Sequence, residues 1–168
     1  MHSLQKDFCN RVKARFPAFF KGKRVLDCGS LDINGNNRYL FTDCQYTGID
    51  VGAGPNVDIV TRIHEYPGKP YDTIISTECF EHDRHWADSL SHISLKLLKP
   101  GGLFLFTCAY EGRPEHGTKR SEPADSPFTT DYYDTLILAD VMDMVAWYSQ
   151  CAFEVEKSHK DLYFWGVK

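Results

Sequence analysis

The sequence predicts an α/β domain organised on an open, mostly parallel sheet, and three observations carry that prediction. Residues 23–35, KRVLDCGSLDING, run from the apolar pair Val25 and Leu26 to an acid, Asp27, and on into a loop of small and polar residues. Residues 46–51, YTGIDV, repeat the device and bring a second acid, Asp50, to the strand's end. Residues 86–107 read as helix, Pro-Gly-Gly turn and continuous apolar strand, the pattern of a right-handed crossover between parallel neighbours. In such sheets the crevice beyond the carboxyl ends of the strands receives nucleotide-like ligands, because backbone N–H groups are free there.

Each element follows from its own pattern. Leu4, Phe8, Val12 and Phe16 recur every four residues among Lys6, Arg11, Lys13 and Arg15, so an amphipathic helix starts near Ser3 and stops at Pro17. That helix packs on the sheet, or alternatively serves as a lid or dimer face. A short helix is expected over 38–41, a third strand over 57–60 and a fourth over 71–76, with a turn-rich segment holding His64 between the last two. Trp86, Leu90, Ile93 and Leu97 make a helical stripe that Pro100, Gly101 and Gly102 terminate, and residues 103–107, LFLFT, form a buried central strand. Residues 109–130 are rich in Gly, Pro, Ser and charge, and a connection of that length inside a small domain is usually functional or disordered. A helix is then expected from the Asp131–Asp143 region to about Gln150, followed by a hairpin of strands over 153–157 and 162–167.

At 168 residues with 42% apolar content, one domain spanning 1–168 suffices, comprising an N-terminal helical segment over 1–22 and a substrate-side loop over 109–130. A net charge of -4 argues against a broad nucleic-acid surface, although Arg113, Lys119 and Arg120 offer a local basic patch. The six cysteines are dispersed without a C-x-x-C pair, as in reduced, buried intracellular thiols. The opening residues alternate charge with apolar groups, unlike a signal peptide or a membrane span, so the expectation is a cytoplasmic protein, monomer or homodimer, with no membrane partner.

Taken together, VLDCGSLDINGNNR (25–38), YTGIDV (46–51), YDTIISTECFEH (71–82) and LLKPGGLFLFT (97–107) resemble the class I S-adenosylmethionine-dependent methyltransferases of the type 11 kind, in a small bacterial or phage-type form. The resemblance is strong over about 24–108 and weak elsewhere. It implies a doubly wound, mostly parallel seven-stranded sheet with a C-terminal antiparallel hairpin, and S-adenosylmethionine as cofactor with S-adenosylhomocysteine as product. It further implies that Asp27, Gly29 and Ser30 line the methionine and sulfonium end, that Cys28 and Thr77 also bind the cofactor, that Asp50 holds the ribose, that Val51 packs on adenine, and that Ile63 or His64 meets adenine as well. Leu31 stands where the family often has a second glycine.

The residues alone support part of this. A carboxylate at position 50 presents two oxygens at diol spacing, and it lies about 20 residues past the loop, as that role requires. A dinucleotide needs G-x-G-x-x-G at its pyrophosphate, which SLDING does not supply, and Asp27 would repel a diphosphate while suiting a sulfonium and an ammonium. An NAD-linked oxidoreductase is therefore the remote alternative, and a methyltransferase-fold binding module or partner subunit without catalysis is the nearer one.

Acceptor chemistry should follow the fourth and fifth strands, where Glu78, Glu81, His82 and Asp83 form one group and Tyr110, Arg113, Glu115 and His116 another. His116 is the first candidate base, since an imidazole ordinarily titrates near neutrality, with His82 and Glu81 behind it. His82 and His85, with Glu81, Asp83 and Cys79, make only a partial metal-ligand set, so no metal is expected. Tyr132, Tyr133, Trp147 and Tyr148 read as core and rim more than as a stacking surface. Ser76-Thr77-Glu78-Cys79 shows no sign of a nucleobase-amine methylase, and the acceptor is expected to be a small molecule or carbohydrate-like compound.

Overall fold

The computed structural model describes residues 2–168. In chain order the elements are α1 (Ser3–Arg15), β1 (Arg24–Cys28), β2 (Gln45–Asp50), β3 (Ile59–Val60), β4 (Tyr71–Thr77), α2 (Trp86–His92), β5 (Leu98–Ala109), α3 (Leu138–Val141), β6 (Gln150–Glu156) and β7 (Asp161–Val167). Their strands form a single sheet in the order β3-β2-β1-β4-β5-β7-β6. β1 pairs in parallel with β2 and β4, β2 with β3, and β4 with β5, while β7 runs antiparallel to both β5 and β6. This is the expected doubly wound, seven-stranded architecture closed by a hairpin.

Strand alternation sends side chains to two cores. Leu103 and Leu105 join Val25, Ile75 and Tyr163 beneath α1, which contributes Phe8, Cys9 and Val12. Phe104 and Phe106 point the other way, to Leu26, Cys28, Phe80, Leu90 and Phe164. The stripe on α1 is shifted from the expected one: Gln5 is buried in preference to Leu4, because its Nε2 donates to Thr107 Oγ1 at 3.0 Å near the end of β5.

Three expectations need correction. The helix expected up to Gln150 is confined to the four residues of α3 and a 3-10 run over Met142–Trp147, and residues 131–137 stay irregular. Asp134 and Leu136 there spend their N–H groups on the carbonyls of Glu81 and Ala109, which a helix could not allow. The Pro100-Gly101-Gly102 turn lies inside β5: pairing jumps from Tyr71↔Leu98 to Thr73↔Leu103, so residues 99–102 bulge opposite Asp72. The helical stripe from Trp86 changes winding, with α2 giving way to a π-helix over Ile93–Leu97.

Candidate active site

A cavity of about 440 Å³ opens at the carboxyl ends of β1, β2 and β4, a size in the range of small-molecule sites. Asp27, Gly29, Ser30, Asp50, Val51, Ile63 and Thr77 all line it, brought together because most of them stand at or just beyond a strand end. Residues 125–129 of the long connection, with Asp131 and Tyr132, line it as well. Phe128 lies so close to Gly52 that a Cβ at position 52 would stand 1.9 Å from its ring.

Asp27 is the electrostatic centre of this end. It is 1% exposed, and burial raises its pKa to about 6 against the pull of hydrogen bonds from Tyr46 and Asn37. The Tyr46 hydroxyl donates to Oδ2, and Asn37 Nδ2 donates to Oδ1 at 3.1 Å and to Thr77 Oγ1 at 3.0 Å. Asn37 Oδ1, in contrast, is buried without a partner. Burial also raises the pKa of Asp50, whose two oxygens accept from Leu31 N and Gly52 N at 3.1 Å each. Every carboxylate oxygen can accept more than one bond, so Asp50 keeps acceptor capacity toward the cavity.

The glycine-poor loop keeps its shape by a different device. Gly29 takes φ +75°, and a Cβ there would stand 2.5 Å from Cys79 Sγ, so this one glycine is required both by conformation and by contact. Beyond it, Asp32 accepts from Gly35 N at 2.8 Å and from Asn36 Nδ2 at 2.7 Å, while its own N–H donates to Pro55 O. Ser30 Oγ donates to Asn56 O at 3.1 Å, and Asn56 Nδ2 returns a bond to Ser30 O at 2.8 Å. Side-chain amides and Asp32 thus fix a turn that has no second glycine at position 31.

The two groups of polar residues after β4 and β5 meet. Arg113 pairs with Glu78 at 3.1 Å and with the buried Asp161, and Glu78 accepts from Thr107 Oγ1 at 2.9 Å. Burial works against the Arg113 charge, but Glu78 and Glu81 outweigh it and hold its pKa up. The basic patch expected from Arg113, Lys119 and Arg120 is therefore broken: Arg113 is neutralised inside the protein, and Arg120 pairs with Glu115 at 3.0 Å. His82 and His116 both line the cavity, with ring centroids 5.1 Å apart and perpendicular, and Tyr133 packs against both. Burial, aided by His116, lowers the His82 pKa to about 4, so it is neutral at pH 7.

Two expected site residues lie off the cavity wall. Cys28 alternates away from Asp27 into the core, and its thiol is pushed well up by burial. Glu81 is fully buried, with its pKa raised first by burial and then by Glu78, so it does not meet an acceptor directly. The pairing of His82 with His85 also fails: residues Phe80–His82 form a 3-10 turn that ends before α2, and His85 tilts against His64 with ring centroids 4.5 Å apart. Tyr148 is buried in the core and Trp147 packs against it, whereas Tyr132 faces the cavity.

A sequence profile described as a methyltransferase domain matches residues 1–120, more than two-thirds of the chain. The chain belongs to that family. No curated protein sequence matches it. Among solved structures, this methyltransferase domain is similar to the Burkholderia thailandensis 1,6-didemethyltoxoflavin-N1-methyltransferase, at 14% identity and TM-score 0.65, with 98% of this chain and 77% of that one covered. It is similar to Haemonchus contortus phosphoethanolamine N-methyltransferase 2, at 18% identity and TM-score 0.66, where 96% of this chain spans 52% of that one, about half its length. It is also similar to the N-methyltransferase NodS of Bradyrhizobium japonicum, at 11% identity and TM-score 0.65, covering 97% and 86%. All three were crystallised with S-adenosylhomocysteine.

Several wall residues of the methyltransferase domain carry no motif of their own. Asn37, Phe128, His2 and Gln5 all line the cavity. For Asn37 the available signal is the Asn-rich run GNNR after the loop. Gln5 and His2 reach the site only through α1 and its start, across more than 100 residues of sequence, and local pattern cannot report that.

Proposed function

We propose that this methyltransferase domain binds S-adenosylmethionine in the 440 Å³ cavity and moves its methyl group to a small-molecule or carbohydrate-like acceptor, releasing S-adenosylhomocysteine. The observation that carries the proposal is the pair of strand-tip carboxylates, Asp27 and Asp50, on the wall of one cavity in a chain of this family. Small acceptors are supported by the neighbours, whose crystals held 1,6-didemethyltoxoflavin and phosphomonomethylethanolamine.

The residues present fit such a cofactor. Asn37 Oδ1 is a buried acceptor with no partner, and with Asp27 and Thr77 beside it this end suits an ammonium. Asp50 would take the ribose hydroxyls, Val51 and Ile63 would flank the adenine, and the chain at Gly29 and Ser30 would pass beside the sulfonium. When bound, the sulfonium supplies an already activated methyl group. What remains for the protein is to hold the acceptor in line and to take a proton where the acceptor carries one. His116 is the proposed base, since it lines the cavity from the long polar connection, while His82, held neutral, would orient the acceptor by hydrogen bonding.

Isothermal titration with S-adenosylmethionine and S-adenosylhomocysteine tests the first half. Heat from both at micromolar ligand is the expected result, and no heat at high micromolar ligand would leave a fold retained for binding partners alone. Transfer of labelled methyl to fractions of a small-metabolite extract tests the second half, with label in low-mass products expected and label confined to protein or nucleic acid contradicting it.

A further inference from the structure

We propose that Glu81, His82 and His116 form a binding site for a divalent first-row transition ion of the Zn²⁺ type, with the two histidines on the cavity wall and Glu81 behind it, where the turn after β4 meets the long connection. A carboxylate oxygen of Glu81 and one ring nitrogen from each histidine lie within 4.8 Å of one another. Tetrahedral Zn²⁺ with ligands at about 2.0–2.1 Å holds its donors about 3.3 Å apart, so the cluster closes on an ion by side-chain rotation. His116, on an irregular segment, supplies that freedom.

The decisive feature is what these groups lack. Glu81 is 0% exposed, yet neither carboxylate oxygen has a hydrogen-bond partner, and Nδ1 of His82 is likewise buried and makes no hydrogen bond of good geometry, although the Tyr132 backbone favours the protonated ring from nearby. The backbone N–H groups of Glu81 and Ala109 favour the Glu81 charge from nearby without reaching hydrogen-bond geometry. A carboxyl buried without partners either keeps its own proton or is paired or metal-bound, so an ion here would displace the Glu81 proton to solvent and supply the partner that the oxygens lack. His116 is prepared for the same role, since its Nδ1 lies 3.2 Å from the Pro114 carbonyl, which can only accept; the proton then sits on Nδ1 and Nε2 keeps a lone pair.

Two imidazoles with one carboxylate select Zn²⁺ or Fe²⁺ over Mg²⁺ or Ca²⁺, which favour all-oxygen sets. Three protein ligands leave a position for water or substrate, and His82 and His116 border the cavity. An oxygen of the methyl acceptor is the class of group that would fill it. An ion there occupies the His116 nitrogen that would otherwise take a proton, so His116 is the proposed base of the ion-free protein alone. The acceptor assignment rests on the proposed methyltransferase function, whereas the ion site stands on the cluster itself. A second trio, His2, Glu78 and Asp161, has the same spacing, but Arg113 already supplies its positive charge by pairing with both acids.

Titration of chelator-treated full-length protein with Zn²⁺, without cofactor, reads the site directly, and Co²⁺ absorption reports the ligand set. One ion per chain is expected, with affinity reduced at least tenfold in Glu81→Gln and in His116→Ala and kept in His2→Ala. His116→Ala alters a partly exposed loop residue, so folding is preserved even where Glu81→Gln fails to fold. No binding in the wild type, unchanged affinity in His116→Ala, or loss only in His2→Ala would overturn the proposal. Because titration with S-adenosylhomocysteine reads the other end of the cavity, either reading can fail alone.

Discussion

Asp27 ties the stability of the protein to the ligand it is proposed to hold. Its carboxyl ordinarily ionises at 3.8 and is raised to about 6 by burial. Between those values the folded chain keeps a proton that the unfolded chain has released, so stability falls as pH rises through this window, and the loss is complete above about pH 6. Two pKa units correspond to roughly 3 kcal/mol. Asp27→Asn removes the titration, so its stability relative to wild type should rise by about that amount between about pH 4 and pH 7.5 in urea melts. Cofactor binding by the same variant should weaken. At Asp50 the balance is simpler: Asp50→Ala should cost about 1–3 kcal/mol of S-adenosylhomocysteine affinity through lost charged hydrogen bonds, measured by calorimetry. Both acids are legible in the sequence because each closes a predicted strand just before a loop of small and polar residues or a turn. Asn37 and Arg113 are not, since the value of an amide or a guanidinium depends on partners such as Thr77 and Asp161 that only the folded sheet brings near.

At the scale of elements, the first loop is held from outside. Gly29 sits at positive φ against Cys79, and Gly29→Ala should destabilise the fold by about 1–3 kcal/mol while displacing the turn after β4, read as a lowered melting temperature and weakened ligand binding together. Strands are the most readable elements, because a parallel sheet covered on both faces demands continuous apolar runs such as 103–107. The loop after β1 is legible as a ligand-facing turn from its small and polar residues, but its bracing is not: Asn56 reaches Ser30 from 26 positions away. The segment 131–150 misleads, since Val141, Val145 and Tyr148 have helical spacing, yet the bonds that Asp134 and Leu136 make to the turn after β4 and to β5 override it. Tertiary pairing of that kind leaves no local trace.

For the whole molecule, the two cores and the sheet between them should unfold together. Cys9, Cys28 and Cys108 are 0% exposed, and burial raises the Cys9 pKa to about 12. All six thiols are free. An aqueous disulfide reagent should therefore react first at the partly exposed Cys44 and Cys151 and reach Cys9, Cys28 and Cys108 at the rate of global unfolding. Faster reaction at Cys9 would mean that α1 detaches alone. No helix among the described residues is long and apolar enough to cross a membrane.

The seat that the Phe128 ring takes on Gly52 bears on the tempo of turnover. On the proposed function, the spent nucleoside thioether would leave past this half-exposed ring at the cavity wall, and a phenyl that must swing outward first should make exit slower than the chemistry. Rapid-quench measurements should accordingly record a burst of methylated product before a slower steady rate, and Phe128→Ala should erase the burst by speeding departure.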